Sequence, residues 1–253
     1  MNEPAIKADR VTVAYGPVTA LDSVDVSIPR GTVTAVIGPN GSGKSTFLRA
    51  SARLVTPTRG KIHVPALDSP GGVALVLQST DLEAGLPLSV GEAVRMARYQ
   101  RLGLAGRFKA ADRQLVEAAI DRLELGLLVN RQLSELSGGQ RQRVLVAQGL
   151  AQESDLLLLD EPLTGLDIAS RDRIWSIVAD ERAARRTVVV STHDLDDARR
   201  CDLVMLVATK LVAFGTPKEV LDTEVLREAY GNRLVRVDGG SVLLDDPHHD
   251  HDH

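Results

Sequence analysis

The sequence predicts an α/β fold built on a mostly parallel sheet. Short, continuous apolar runs recur along the chain, and strands that helices cover on both faces have this composition. The runs occupy residues 33–38, 73–78, 155–161, 187–193 and 202–207. Apolar residues also alternate at Val11, Val13 and Tyr15, which indicates a further strand. A chain of 253 residues with 43% apolar content can form one large domain, or a domain with a subdomain.

A helical segment is predicted between Gly85 and Arg131, where the apolar residues adopt the spacing of amphipathic helices. Ser89 followed by Glu92 has the spacing of a capping box, so the first helix should begin there. The two apolar stripes contain Val90, Ala93, Val94 and Ala97, and Leu115, Ala119, Ile120 and Leu123. This helical segment interrupts the strand-rich core.

A last helix and a hairpin are predicted near the C-terminus. Thr216, Pro217 and Glu219 supply a cap, a first-turn proline and an acidic third position. A helix should therefore run from Thr216 to about Tyr230. Residues 233–246 then indicate a short hairpin around two glycines.

Composition and charge exclude several classes of protein. The net charge of −4 and pI of about 5.9 leave no basic excess for binding phosphates, so we expect no nucleic-acid partner. The apolar stretches at 156–159 and 203–208 are far shorter than the ~20 residues that cross a bilayer, so another chain would have to do so. The N-terminus shows no secretory signal, and the single Cys201 permits no internal disulfide, as expected in a reducing cytosol.

The first chemical motif is GPNGSGKS, from Gly38 to Ser45, directly after the predicted strand 33–38. A strand, a glycine-rich turn and a helix in this order form a phosphate-binding P-loop. Glycines let backbone N–H groups face phosphates, Lys44 can reach the β- and γ-phosphates, and the Ser45 hydroxyl can bind Mg²⁺. The sequence thus predicts a site for ATP and Mg²⁺ formed by Gly38, Pro39, Asn40, Gly41, Ser42, Gly43, Lys44, Ser45 and Thr46.

A pair of carboxylates, Asp160 and Glu161, ends another predicted strand. On its own, such a strand end is commonly just solvated. Together with an upstream P-loop it is typical of the Walker B element. Asp160 would then hold Mg²⁺, and Glu161 would polarise the water that attacks the γ-phosphate.

The third motif, LSGGQRQR at 136–143, is far more restrictive. It precedes an amphipathic stretch with Val144, Ala147 and Ala151 on one face. A helix N-terminus offers free N–H groups to an anion, and the residues expected there are Ser137, Gly138, Gly139 and Gln140. Because LSGGQ lies between a P-loop and a Walker B strand, the sequence resembles the ATP-binding subunit of an ABC transporter.

This resemblance covers essentially residues 5–230 and implies a fold. The implied fold is a P-loop NTPase core with flanking helices, an N-terminal antiparallel β subdomain and an inserted α-helical subdomain. We expect the ATP-binding domain at 5–237, with its helical subdomain at about 79–152. Residues 238–253 would form a C-terminal extension.

Four further residues match motif positions of the family. Tyr15 would stack on adenine, with a core-facing strand residue as the alternative. Gln78 would join the residues that contact Mg²⁺ and the attacking water. Asp167, in TGLD, would be the D-loop aspartate. His193 would be the switch histidine that contacts the γ-phosphate; a lone histidine at a strand end is usually structural, but its spacing after Walker B favours the functional role.

The resemblance also implies partners. Two copies of the chain would sandwich two ATP molecules head to tail, each site taking its P-loop from one copy and its signature motif from the other. Hydrolysis would remove the bridging γ-phosphate and let the dimer open. Separate polytopic permease subunits would dock on the helical subdomain at the cytoplasmic face of the membrane. An extracytoplasmic metal-binding protein would take part indirectly.

Three positions depart from the usual family pattern. Leu77 replaces a frequent proline, and Gln148 and Gly149 replace a frequent Arg-Ala pair. A glycine inside a helix costs ~1 kcal/mol relative to alanine, so Gly149 is expected to alter interdomain packing. None of the three is expected to abolish hydrolysis.

The kind of transport is inferred from other segments. The segment 129–135 lacks the acidic-glycine loop of many exporters, and no membrane segment is fused, so a prokaryotic importer is favoured. The stretches 86–104 and 127–167 resemble the zinc and manganese uptake branch. The alternatives are an importer subunit for an iron chelate or cobalamin, and a non-transport ABC ATPase such as an iron–sulfur assembly factor.

The chain ends in a histidine-rich tail, PHHDHDH, with His248, His249, His251 and His253 interleaved with aspartates. Imidazoles and carboxylates bind zinc, so weak zinc binding is one interpretation. A purification tag fits poorly, because tags are usually unbroken histidine runs. A solvated terminus without a role is the other interpretation. Since the tail lies beyond the ATPase core, it cannot be the catalytic metal site.

Overall fold

The computed structural model describes residues 3–78, 87–102 and 106–231, together with the backbone of residues 234–237 and 241–244. In chain order the strands are β1 (Ile6–Tyr15), β2 (Val18–Ile28), β3 (Val33–Ile37), β4 (Arg59–His63), β5 (Val73–Val76), β6 (Leu156–Asp160), β7 (Thr187–Ser191), β8 (Leu203–Ala208), β9 (Lys210–Gly215), β10 (Leu234–Val237) and β11 (Ser241–Leu244). The α-helices are α1 (Lys44–Ser51), α2 (Val90–Met96), α3 (Tyr99–Leu102), α4 (Ala110–Arg122), α5 (Gly138–Ala151), α6 (Ile168–Ala183), α7 (Leu195–Arg199), α8 (Pro217–Val220) and α9 (Thr223–Tyr230).

The central sheet has the strand order β5-β6-β7-β3-β8-β9. Neighbouring strands are parallel except for β8 and β9, which are antiparallel. Every residue of β3, β6 and β7 is buried, as their continuous apolar sequences predict. The predicted α/β fold is confirmed, and the carboxyl ends of these three strands meet at one edge of the sheet.

A second, antiparallel sheet has the strand order β2-β1-β4. Ile6, Val11 and Val13 of β1 are buried in a core that they share with Phe47 of α1. This sheet confirms the implied antiparallel β subdomain. In this sheet, apolar patterning indicated only part of β1. It did not indicate β2, where polar residues interrupt the apolar ones, or β4, which is mostly exposed.

Helix α5 packs against β5, the edge strand of the central sheet, and α2 and α4 pack against α5. The predicted capping box is confirmed, since the Ser89 hydroxyl accepts from the Glu92 N–H and the Glu92 carboxylate accepts from the Ser89 N–H. The first predicted stripe is buried throughout. In the second stripe Leu115 is only half buried, and Val116 takes its place in the core. None of the described helices is both long and apolar enough to cross a membrane.

The C-terminal end of α5 is fixed by buried polar contacts. Arg98 binds the carboxylate of Asp112 at 2.9 Å and donates to the backbone carbonyl of Ala151, also at 2.9 Å. The Gln152 side chain donates to the carbonyl of Val73, at the start of β5. Through Arg98 these bonds tie the C-terminal end of α5 to α4, and through Gln152 they tie it to β5 of the core sheet.

Gly149 has a packing role in the same contact. A Cβ atom at this position would lie 2.5 Å from Cγ2 of Val76 in β5, closer than packed side chains approach. The missing side chain therefore lets α5 lie against the edge strand. This gives a physical reason for the departure from alanine.

The C-terminal helix differs from the expectation. A single helix from Thr216 to Tyr230 is wrong, because α8 ends at Val220 and α9 begins at Thr223. The break lies at Asp222, which has extended backbone angles and accepts from the Glu224 N–H at 2.9 Å as a new N-cap. The predicted hairpin is confirmed by the antiparallel pairing of β10 with β11. The histidine-rich tail lies outside the described residues.

Candidate functional site

The predicted P-loop connects β3 to α1 and is enclosed by its own chain. Gly38 has φ +151, and a Cβ atom there would lie 1.9 Å from the carbonyl oxygen of Val207. Gly43 has φ +104, and its Cβ would lie 2.4 Å from the carbonyl oxygen of Ala20. Only glycine fits at these two positions, so the loop holds a tight, fixed shape.

Lys44 is almost fully buried and bonds to the P-loop itself. Its ammonium donates to the carbonyls of Gly38 at 2.9 Å and Pro39 at 3.1 Å. Burial lowers the pKa of Lys44, while the carboxylates of Glu161 and Asp160 oppose that shift. The cation is thus held at the centre of the loop, facing the strand end that carries both acids.

Asp160 lies at the end of β6 and accepts two hydroxyl hydrogen bonds. Ser45 Oγ donates to its carboxylate at 2.9 Å, and Ser191 Oγ donates to the same oxygen at 2.7 Å. The Glu161 N–H in turn donates to Ser191 Oγ at 2.9 Å. The structure therefore brings Ser45 and Asp160 together, as the two motifs predicted.

Ser191 was not identified from the sequence. It pairs in register with Asp160 because β6 and β7 are parallel neighbours. The available signal was its place at the end of the run before His193, but strand order is a long-range property that no local pattern encodes. Ser191 orients both acidic residues of the site.

Glu161 and His193 lie on the open side of the same edge. The Glu161 carboxylate accepts from Thr164 Oγ1 at 3.2 Å and lies 3.9 Å from Nδ1 of His193, whose side chain is about half exposed. Both residues line a cavity of about 110 Å³. Glu161 has φ +46, a backbone conformation uncommon for a residue with a side chain. Such strain is found where a side chain must be aimed at a particular point.

The signature motif forms the N-terminus of α5. Ser137 is the N-cap: its hydroxyl accepts from the Gln140 N–H at 3.3 Å, and the Gln140 side chain accepts from the Ser137 N–H at 3.0 Å. Ser137 and Gly138 are exposed. Within residues 3–78, 87–102 and 106–231, no hydrogen bond joins the four residues 137–140 to the P-loop. One chain therefore does not unite these two predicted parts of the site.

Asp167 lies close to the signature motif. It is the N-cap of α6 and accepts from the Ser170 N–H at 2.7 Å, which lowers the pKa of its carboxyl group. The preceding Leu166 approaches Gly139 of α5, where an added Cβ would lie 3.3 Å from Leu166 Cδ2. The structure thus places two of the motifs side by side on the surface.

Two predicted site residues lie at the margins. Tyr15 is exposed at the end of β1, so the alternative of a core-facing strand residue is wrong. Gln78 follows β5, whose last residue, Val76, pairs with Leu159 beside Asp160. In the part of the chain that the structure describes, no three His, Cys, Asp or Glu residues cluster as a metal site. The four tail histidines fall outside that part.

A family model described as ABC transporter matches residues 21–164. The manganese transport system ATP-binding protein MntB of Bacillus subtilis (strain 168) is 35% identical over 234 residues, 91% of this chain and 94% of that protein. The zinc transport system ATP-binding protein TroB of Treponema pallidum (strain Nichols) is 36% identical and covers 91% of this chain and 88% of its own length. The chelated iron transport system membrane protein YfeB of Yersinia pestis is 35% identical over 96% of this chain and 85% of its own.

Solved structures show the same relationship. An inward-facing metal-chelate type ABC transporter matches with a TM-score of 0.78 and 28% identity, covering 95% of this chain and 96% of that chain. A dimeric ATP-binding cassette in a post-hydrolysis state with ADP and Pi matches with a TM-score of 0.74 and 25% identity, covering 84% of this chain and 98% of that one. Both similarities extend over nearly the whole of each fold.

Proposed function

The chain belongs to the ABC transporter family, and from this membership we propose that it is the ATP-hydrolysing subunit of an importer for zinc or another divalent metal ion. The observation that carries the proposal is the strand edge at which Lys44, Asp160 and Glu161 converge. The family membership makes the chain an ATP-binding ATPase, and the position of the nucleotide at this edge is part of the proposal. The residue roles below belong to the proposal.

ATP would bind along the P-loop, residues 38–46, with its adenine on Tyr15. The Ser42 hydroxyl is buried without a hydrogen-bond partner among the described residues, which fits a donor to a phosphate oxygen. Lys44 would exchange its two carbonyl partners for the β- and γ-phosphates. The backbone N–H groups at the start of α1 add a favourable field for the anion.

The donors around Asp160 suit Mg²⁺. Ser45 supplies a hydroxyl and Asp160 a carboxylate within 2.9 Å of each other, and Gln78 would add an amide oxygen. Mg²⁺ prefers such oxygen donors and needs only one or two carboxylates when phosphates supply the rest. When bound, it neutralises charge that develops on the β- and γ-phosphates.

Glu161 would act as the general base. Its carboxylate sits on the open side of the strand end, where it can accept a proton from the attacking water. His193, 3.9 Å away, would contact the γ-phosphate, and Gln78 would orient the water. Ser191 keeps the backbone of Glu161 in place through its hydroxyl.

The second half of each ATP site would come from a second copy. Ser137 and Gly138 lie exposed, and Gly139 and Gln140 half-buried, at a helix N-terminus, where the first N–H groups have no carbonyl partner within the helix. Asp167 lies beside them, in position to face the other copy. The dimeric cassette with ADP and Pi, which this chain resembles, supports a dimer, and the head-to-tail arrangement follows from the open signature motif.

Separate polytopic permease subunits would dock on the groove between the helical subdomain and the core. This groove has a volume of about 680 Å³ and is lined by Leu54, Met96, Gly149 and Gln152, among others. Leu54 and Met96 are 64% and 47% exposed, as expected of apolar side chains that a partner protein covers. The complex would lie at the cytoplasmic face of the membrane, and an extracytoplasmic metal-binding protein would deliver the cargo.

The domain limits are part of the same proposal. The two sheets and their helices support an ATP-binding domain at 5–237, with helices α2 to α5 as the subdomain at about 79–152. Residues 238–253 would be an extension. Its histidines, at 248, 249, 251 and 253, would bind zinc weakly.

The cargo is inferred from the relatives. MntB and TroB are named for manganese and zinc transport, and they match this chain over 91% of its length. YfeB, named for chelated iron, matches about as well and supports iron as the second candidate. Cobalamin transport and a non-transport role have no such support among these relatives.

Deleting the gene from its host tests the cargo and the chemistry together. Growth should slow under zinc or manganese chelation and recover when the wild-type gene is supplied. Glu161→Gln should not restore growth, because the amide cannot accept the proton from water. The purified variant should still bind ATP and accumulate as a closed dimer, because its phosphate contacts are intact.

A matched control is Glu224→Gln, which removes an exposed carboxylate that pairs with Arg227 in α9, and this variant should restore growth fully. Recovery with added iron alone would favour the iron candidate. Unchanged growth and metal uptake after deletion would defeat the metal proposal. A chain truncated after Asp246 tests the tail separately. If calorimetry shows the same zinc binding by the truncated chain and the full chain, the tail does not bind zinc.

A further inference from the structure

The loop that carries His193 is held by hydrogen bonds on its own side. Thr192 Oγ1 accepts from the Asp194 N–H at 3.0 Å. The Asp194 carboxylate caps α7, accepting from the N–H groups of Asp196 at 2.8 Å and Asp197 at 3.4 Å. These bonds fix the local shape of the loop, and the Thr192 N–H donates to the Val36 carbonyl of β3 at 3.1 Å, which joins the start of the loop to the central sheet.

Arg171 attaches the segment after His193 to α6. Its Nη2 donates to Asp194 at 2.7 Å and to Asp197 at 2.9 Å. The hydrogen bond to Asp194 raises the pKa of Arg171, burial opposes the rise, and the carboxylate of Asp197 adds to it. One guanidinium thus joins the first turn of α6 to Asp194 and Asp197, two of the three acids that closely follow His193.

Asp197 is the buried end of this contact. It is only 4% exposed, and it also accepts from Trp175 Nε1 at 2.9 Å and from Thr192 Oγ1 at 3.4 Å. A buried carboxylate is stable only when it is paired and hydrogen-bonded. Arg171 is therefore the cationic partner of this buried carboxylate beside the switch loop.

Arg171 lies close to the segment of α6 that is expected to face the second copy. Helix α6 begins at Ile168 and is capped by Asp167, one turn before Arg171. Arg171 lines the same cavity as Glu161 and His193. The segment expected to face the second copy is thus one helical turn from the arginine that holds the histidine loop.

We propose that Arg171 is a positioning residue, which holds His193 at the γ-phosphate side of the site by fastening its loop to α6. Displacement of α6 at Asp167 then moves His193 as well, so that the closed dimer and the switch histidine are coupled. This inference rests on the proposed role of His193. Arg171 itself contacts Asp194 and Asp197 rather than reacting atoms.

The first test replaces Arg171 and measures ATP turnover by the full chain. Arg171→Gln should lower kcat by about tenfold or more with KM for ATP changed less than about twofold, since the P-loop contacts are untouched. Arg171→Lys keeps a cation within reach of both acids and should recover part of kcat. The control is Arg182→Gln, at the other end of α6, where the arginine pairs with Asp202. It should turn over ATP as the wild type does.

The second test separates action through His193 from a general structural effect. If Arg171 acts through His193, the double variant Arg171→Gln/His193→Ala should be no slower than His193→Ala alone. Additive losses, or wild-type kcat in Arg171→Gln, would overturn this inference and leave the proposed function standing. Wild-type turnover by His193→Ala would overturn the role of His193 and this inference together.

An optical readout checks the geometry independently of activity. Trp175 is the single tryptophan of the chain, and its indole donates to Asp197. Arg171→Gln should shift its emission, because Asp197 loses its cation, while Arg182→Gln should leave the emission unchanged. An unshifted spectrum in Arg171→Gln would show that Arg171 does not hold Asp197 in place.

Discussion

Two glycine-rich motifs each open a helix in this chain, and their surroundings are opposite. At Gly38 of the P-loop, a Cβ atom would lie 1.9 Å from a backbone oxygen of β8. At Gly138 of the signature motif, a Cβ atom would meet nothing within 4 Å among the described residues. The P-loop is enclosed by its own chain, whereas the signature motif faces space that this chain leaves open.

Hydrogen bonding differs in the same way. Lys44 in the P-loop bonds to the carbonyls of Gly38 and Pro39, across the loop that precedes it. In the signature motif, the side chains of Ser137 and Gln140 accept from each other's backbone N–H groups, and the Ser137 carbonyl accepts from the Arg141 N–H in the same helix. One half of the proposed site is therefore complete before a partner arrives. The other half is shaped but exposed, as expected of a surface that a second copy completes.

The largest expected contrast comes from adding a methyl group to each motif. Gly38→Ala should lower the free energy of unfolding by about 3 kcal/mol or more, because the φ angle is strained and a backbone oxygen blocks the methyl group. Gly138→Ala should change it by no more than about 1 kcal/mol, and in the stabilising direction, because alanine favours helix. Urea unfolding of both variants measures the two values. Equal values would contradict the contrast between enclosed and open motifs.

The core strands could be predicted from the sequence because burial on both faces leaves a local signature. Strands β2 and β4 could not, since half-exposed strands carry polar residues that mask the pattern, and the short, partly buried β9 was missed although its sequence is mostly apolar. The helix break at Asp222 was missed because Thr216 and Pro217 already supplied a convincing start. Asp222 also had the composition of a cap, but its competing role depends on where the chain must turn.

The site residues also fall into two groups, those that a local sequence pattern identifies and those that depend on long-range contacts. P-loop, Walker B and signature residues are contiguous motifs, so the sequence alone identified them. Ser191 and Arg171 act through partners 31 and 23 or more residues away, across neighbouring strands and helices. Such contacts follow from strand order and helix packing, which no single segment specifies. The separation of signature motif from P-loop was implied only by the family resemblance.

The second prediction sharpens the comparison by dividing the two halves between chains. Lys44→Ala removes the P-loop cation, and Ser137→Arg places a bulky cation on the signature surface. Each variant alone should lose nearly all ATP turnover. An equal mixture should recover about a quarter of the wild-type rate, because half of the dimers are mixed and each has one intact site.

The recovery is measured as ATP hydrolysis after the purified variants are mixed at constant total protein. Mixing either variant with itself at the same concentration provides the baseline. If the mixture never exceeds the sum of the separate rates, the two halves do not come from different copies. The head-to-tail arrangement would then have to be abandoned for this chain.

The smallest effect is expected from trimming the cap of the signature motif and comparing it with a matched cap elsewhere. Ser137 and Ser89 each form a capping box, with Gln140 and Glu92 respectively. Ser137→Ala and Ser89→Ala should each lower the free energy of unfolding by about 1 kcal/mol, because both leave a first-turn N–H unsatisfied. Only Ser137→Ala should also slow ATP hydrolysis, since its hydroxyl lies where the second copy's ATP would bind. Equal turnover by the two variants would mean that Ser137 only caps a helix. It would contradict the proposal that the signature motif binds the phosphates of the second copy's ATP.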